Sequence, residues 1–173
     1  MKARFFQVFV LLLTAMAIAL TGCSASNKTN SEEYKSPGDL AKERQTEIME
    51  CFISKDAETI KSFFSEYVIE TYPDIDTQID EAFNFLDGEI VSYDEPFSSE
   101  SGSKERKAYG GDTRNIITDK GTEYKISFKG WLTNSKETDK VGVLSIKVID
   151  MTDEYNSSKS EKENGILYIG EPD

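Results

Sequence analysis

The sequence contains no histidine. That removes the commonest general base, proton shuttle and zinc ligand. Cysteine occurs only twice, at Cys23 and Cys51, which excludes a disulfide-dense scaffold and a cysteine-built metal cluster. Positive charge is scarce too: 20 Lys and Arg stand against 32 Asp and Glu, a net charge of −12. Such a surface repels nucleic-acid phosphates and anionic lipid headgroups, while favouring solubility and cationic partners. No nucleophile elbow and no phosphate loop is present. Asp74-Ile75-Asp76 and the stretch from Asp150 to Asp153 lack the regular oxygen spacing of a calcium loop. Neither a metal nor a cofactor is implied. A clean membrane span is missing as well, since one needs about 20 apolar residues. The longest apolar run, Val8 to Leu20, is shorter and is interrupted by Thr14.

That run nevertheless has the right neighbours for export. Lys2 and Arg4 precede it, and Leu20-Thr21-Gly22-Cys23 closes it. A positive start, an apolar middle and a small-residue end are the parts of a signal peptide. The last four residues resemble the lipobox of bacterial lipoproteins. The resemblance implies that the Cys23 thiol takes a diacylglyceryl group, with cleavage between Gly22 and Cys23. Two or more acyl chains anchor a protein stably. The expected location is therefore the extracytoplasmic face of the cell membrane, with Cys23 as the lipid attachment. Losing Lys2 and Arg4 with the leader takes the net charge from −12 to −14. With Cys23 acylated, Cys51 has no partner for a disulfide within the chain. It lies among Ile48, Met49 and Phe52, with only Lys55 as a basic neighbour, and reads as a buried, inert thiol.

Residues 1–22 thus form the leader and 23–38 a polar tether ending in Pro37-Gly38, with one domain over 39–173. The tether reaches about 20 Å. A first helix is expected from Asp39, with Leu40, Ala41, Ile48, Cys51 and Phe52 on one face and a polar middle. Asp56 caps a second, whose apolar face runs Ala57, Ile60, Phe63, Phe64, Tyr67 and Val68. After Pro73 a third starts near Asp74, with Ile75, Ile79, Ala82, Phe83 and Leu86 at regular spacing, and Gly88 stops it.

Beyond Gly88 the period becomes 2. Ile90 to Tyr93 reads as a strand and Glu95 to Gly102 as a polar loop. Arg106 to Tyr109 starts a strand that Gly110-Gly111 bends or bulges, and Arg114 to Thr118 resumes it. Asp119-Lys120-Gly121 is a hairpin turn. Tyr124, Ile126, Phe128, Gly130 and Leu132 then alternate with Lys125, Ser127, Lys129 and Trp131 in a half-buried strand. A polar turn spans Asn134 to Asp139. Val141 to Met151 has apolar residues of both parities and reads as a central strand. Asp153 to Asn164 is a loop, and Ile166 to Ile169 a short last strand.

Helices followed by strands with short polar connections predict an α+β domain whose helices pack on a curved antiparallel sheet. This order resembles the cone-shaped NTF2-like fold. The likeness is carried by Ile48 to Phe64, where a helix ends in a turn with Asp56 and a shorter helix brings Phe63-Phe64. The chain also resembles a family of uncharacterised lipoproteins of Gram-positive gut bacteria within that superfamily. Phe128-Lys129-Gly130-Trp131-Leu132, Val141-Gly142-Val143 and Gly165-Ile166-Leu167-Tyr168-Ile169-Gly170 carry that likeness.

The resemblance implies a cavity between the long helix and the concave sheet, suited to a small apolar or planar ligand. Tyr93, Tyr109, Phe128 and Trp131 are the aromatic candidates to line it, and Arg114 the candidate to fix a carboxylate. Trp131 and Tyr124 have opposite strand parity, so both face inward only with a bulge. The same aromatics would equally serve as core. A protein-interaction or inhibitory role at the envelope is the alternative, with the polar stretch from Pro96 to Asp112 as its contact. Many NTF2-like domains pair through the sheet, so a homodimer is a further expected partner. An isomerase- or dehydratase-like reaction would need a carboxylate beside a tyrosine, such as Asp112 or Asp150 with Tyr93 or Tyr109. Nothing in the spacing demands that pairing, and the expectation is a non-catalytic domain.

Overall fold

The computed structural model describes residues 35–152 and 165–172. The expected leader, Cys23, the tether up to residue 34 and the loop of residues 153–164 lie outside the described residues.

Helix α1 spans Pro37–Ser54 and starts two residues earlier than composition suggests. Ser36 is the reason. Its Oγ accepts from the Asp39 backbone N–H at 3.1 Å, and the Asp39 carboxylate accepts from the Ser36 N–H at 3.0 Å. Such a reciprocal cap satisfies two donors that a helix start leaves open. Pro37 at the first helical position adds a fixed φ. Lys55, in the left-handed region at φ 56°, ends the helix. Helix α2 spans Ala57–Phe63, capped by Asp56, whose carboxylate accepts from the Thr59 N–H at 3.0 Å.

The expected second helix does not continue to Val68. Phe64 is extended and bridges to Val143, and the Ser65 N–H donates to the Val143 carbonyl at 3.0 Å. Ser65 then caps a separate helix, α3, over Glu66–Thr71. The break is made by a distant strand, not by a local Gly or Pro. Helix α4 spans Ile75–Phe85 and buries Ile75, Ile79, Ala82 and Phe83 as their spacing requires.

Six antiparallel strands follow: β1 (Ile90–Ser92), β2 (Phe97–Gly102), β3 (Arg106–Thr118), β4 (Glu123–Asn134), β5 (Gly142–Asp150) and β6 (Ile166–Gly170). The order is β1-β3-β4-β5-β6, with β2 also beside β3, so β1 and β2 share one edge. The sheet does not close on itself. Helices packed on one open antiparallel sheet make this an α+β domain, compatible with a cone. Two strand expectations are corrected. The supposed loop from Glu95 to Gly102 is largely strand β2, paired with residues 107–112 of β3. A serine-rich edge strand has no apolar alternation to betray it. Gly110-Gly111 do not bulge β3, which pairs continuously through both. They allow close approach instead: a Cβ on Gly111 would lie 2.9 Å from the Gln45 Cβ of α1 and 3.1 Å from the Phe128 ring. The register against β4 shifts on either side of the two glycines, between Lys107 and Ala108 and again at Arg114-Asn115, where Asn115 takes φ 49°.

The core fills the space between α1 and the inner face of the sheet. Ala41, Gln45, Ile48, Met49 and Phe52 of α1 are buried toward β3 and β4, with Tyr109, Thr113, Ile116, Tyr124, Ile126 and Phe128; Ile146, Val148 and Ile169 of β5 and β6 are buried too, and α4 packs on β6. Phe52 meets Phe83 of α4 edge to face, with centroids 5.3 Å apart, which ties the two helices together. No described helix is long and apolar enough to cross a membrane.

Candidate functional site

Two of the expected site residues lie on the inner face of the sheet. Tyr109 and Phe128 do face inward, but they pack edge to face on each other at 5.2 Å. Gln45 is fully buried, and its Nε2 donates to Thr113 Oγ1 and to the Ile126 carbonyl, each at 3.0 Å. Among the described residues its Oε1 has no partner. At the rim, the Arg44 guanidinium lies 3.9 Å over the Phe63 ring and pairs with Glu47 at 2.9 Å. Burial holds the Tyr109 hydroxyl above the usual tyrosine range, with neighbouring Arg44 opposing the shift. The two aromatics expected to line a pocket therefore serve as core.

The other three candidates lie in different places, so the structure does not gather the five. Tyr93 stands just beyond β1 and is 41% exposed. Arg114 follows the buried Thr113 and so faces outward with Asp112, to whose Oδ1 its Nε donates at 2.8 Å. Arg114 and Asp112 line an open crevice of about 370 Å³ with Asp94, Glu95 and the exposed ring of Phe97. Asn115 there donates to Asp94 at 2.7 Å, and Lys42 pairs with Glu95. Each of these three carboxylates thus has a protein partner. Asp112 also pairs with Ser127 in the register, on the face of β3 opposite to Tyr109, which separates that carboxylate–tyrosine pair. Asp150 accepts instead from the Thr152 N–H at 2.8 Å.

Trp131 belongs to the outer set of β4 with Lys125, Ser127 and Lys129, while Tyr124, Ile126 and Phe128 point into the core. Beside it, where the β4–β5 turn returns, lies an open crevice of about 380 Å³. Ala108, Gly130, Trp131 and Leu144 supply its small and apolar surface. Arg106, Lys129, Lys140, Glu137 and Glu171 supply the charge. The Arg106 guanidinium sits 4.7 Å from the Trp131 ring centroid, within cation–π reach. Lys140 Nζ lies 4.6 Å over the Tyr67 ring of α3 and 2.7 Å from Glu137 Oε1. That bond holds the Glu137 carboxyl below its ordinary range and the Lys140 ammonium above its own. Glu137 reaches Arg106 only at 3.7 Å.

Sequence reasoning found Trp131 but none of its charged neighbours. Arg106 shares the outer face of β3 with Ala108, the partner of Trp131, and the register shifts between them, since Lys107 faces Thr133. Glu137 and Lys140 come from the turn and the short 3-10 segment Thr138–Lys140, and Glu171 follows β6. A third crevice, about 360 Å³, lies at the end of α1 between Phe52, Phe83, Leu86 and Ile90, with Lys55 and Glu89 also lining it.

No curated protein matches the chain. The family described as Domain of unknown function (DUF5104) matches residues 47–166. That match runs from within α1 to the first residue of β6 and takes in Arg106, Lys129, Trp131, Glu137 and Lys140. By this match over most of its length, the chain belongs to the DUF5104 family.

Proposed function

We propose that this chain is a lipid-anchored, extracytoplasmic lipoprotein whose NTF2-like domain is a non-catalytic binding module. Its small ligand sits in the Trp131 crevice on the outside of the cone. One observation carries the reading: an indole, three cations and two carboxylates converge on an open crevice. Binding sites combine apolar surface with a few convergent polar groups, and this crevice has both. Attachment through the acylated Cys23 rests on Leu20-Thr21-Gly22-Cys23.

The test is mass spectrometry of the protein released gently from its host membrane, under native and then denaturing conditions. The denatured mass should equal the chain from Cys23 plus a diacylglyceryl group. The native mass should carry a small molecule that Trp131→Ala loses and Tyr109→Phe keeps. Loss with Tyr109→Phe alone would return the site to the cone. The second reading, a protein partner, is favoured by Val91, Tyr93 and Phe97 along the β1–β2 edge, exposed by 62%, 41% and 62%. A native mass of twice the chain with nothing else bound would support that reading.

A further inference from the structure

We propose that the Trp131 crevice is an oxyanion site, binding a ligand through its carboxylate or phosphate group in place of the Glu137 carboxylate. This rests on the reading of the crevice as the binding site and names the ligand chemistry it selects. The chain carries 32 acidic residues against 20 basic ones, yet this crevice has three cations, Arg106, Lys129 and Lys140, against Glu137 and Glu171. Cations gathered in a crevice of an acidic domain give an approaching anion a favourable place to settle.

The geometry of Arg106 is the stronger argument. Its guanidinium lies against the Trp131 ring, which orients the planar fork. Such a fork matches the two oxygens of a carboxylate or phosphate. Glu137 does not fill that role, since its Oε2 stands 3.7 Å from Arg106 NH2, beyond hydrogen-bond length. Its Oε1 is bound closely by Lys140, at 2.7 Å. The Glu137 carboxylate thus lies between two cations, tight on one and loose on the other. It marks where an oxyanion goes, and its loose contact with Arg106 is the one a ligand would replace. Trp131, Ala108, Gly130 and Leu144 offer the ligand's carbon skeleton an uncharged surface.

Trp131 is the single tryptophan of the chain, so fluorescence excited at wavelengths beyond the absorption of its eight tyrosines reports on the crevice. The purified protein is titrated at constant ionic strength with inorganic phosphate, with glucuronate and with neutral glucose. A saturable change is expected with phosphate, glucuronate or both, the pair telling which oxyanion is preferred, and none with glucose. Arg106→Gln should weaken the response about tenfold, and Glu137→Gln should strengthen it by removing the internal competitor. Both side chains are more than 40% exposed, so folding should survive, as thermal melting would verify. An equal response to glucose and glucuronate, unmoved by Arg106→Gln, would overturn the oxyanion inference and leave the crevice reading standing. Silence toward all three compounds would also overturn it. The crevice reading falls separately, if a ligand carried from the host membrane survives Trp131→Ala.

Discussion

Gln45 is the polar residue with most at stake in the core. It is fully buried, two of its hydrogen bonds join α1 to β3 and β4, and one oxygen lacks a described partner. Removing its amide would leave Thr113 Oγ1 and the Ile126 carbonyl without that donor and open a gap behind Gly111. Gln45→Ala should therefore cost about 2–4 kcal/mol, read as a lower urea midpoint at unchanged slope. A neutral result would mean that Gln45 contributes nothing net at the α1–sheet junction. The sequence hides this residue: the first helix reads as apolar at Ala41 and Ile48 with a polar middle, and Gln45 stands one turn from Ala41. Cys51 was legible, because its apolar neighbours announce burial. The thiol is pushed up to about 11 from its ordinary 9.0, chiefly by burial and then by Asp56, Glu47 and Glu50. The folded state thus holds the proton more tightly than the unfolded chain. Its contribution to stability is full below pH 9 and is lost as pH rises from 9 toward 11. Labelling of Cys51 by a thiol reagent at pH 7.5 should proceed only as fast as the domain opens. Rapid labelling of the native protein would contradict its burial.

Elements with strong internal periodicity were legible, and those set by distant pairing were not. The faces of α1 and α4, the hairpin at Gly121 and the central place of β5 follow from local pattern. The break at Phe64 does not, because Val143, far along the chain, pulls that residue into a bridge. Strand β2 was missed because its alternate positions are serines and a glutamate on an edge. The glycines of β3 were seen but misread. A Cβ on Gly111 would meet Gln45, the Phe97 carbonyl and the Phe128 ring at 2.9, 3.0 and 3.1 Å. Gly111→Ala should therefore force α1 away from the sheet and destabilise by about 1–3 kcal/mol, the usual range for overpacking. Gly121→Ala tests φ instead of space, since its φ is +86° and nothing lies within 4 Å of a Cβ there. Thermal melting should lower both variants. Only Gly111→Ala should also speed amide exchange within α1, and equal protection of α1 in both would count against the close-approach argument.

The whole molecule sets its net charge against its local charge. At −12 the chain should attract cations generally, and the crevice beside Phe97, with Asp94, Glu95 and Asp112, follows that trend. The Trp131 crevice runs against it. That contrast was invisible in sequence, because Arg106, Lys129 and Lys140 come from β3, β4 and the turn after it, and only the fold collects them. Composition could exclude histidine chemistry and suggest an acidic surface. It could not say where on that surface an anion would be welcome. Collisional quenching of Trp131 measures this directly. Iodide and caesium are compared at equal ionic strength, with acrylamide as the neutral reference. The account predicts that iodide quenches more efficiently than caesium, despite the net charge, and that Arg106→Gln with Lys140→Gln reverses the order. Stronger quenching by caesium in the unaltered protein would contradict a positive crevice, and with it the central claim about what this domain binds.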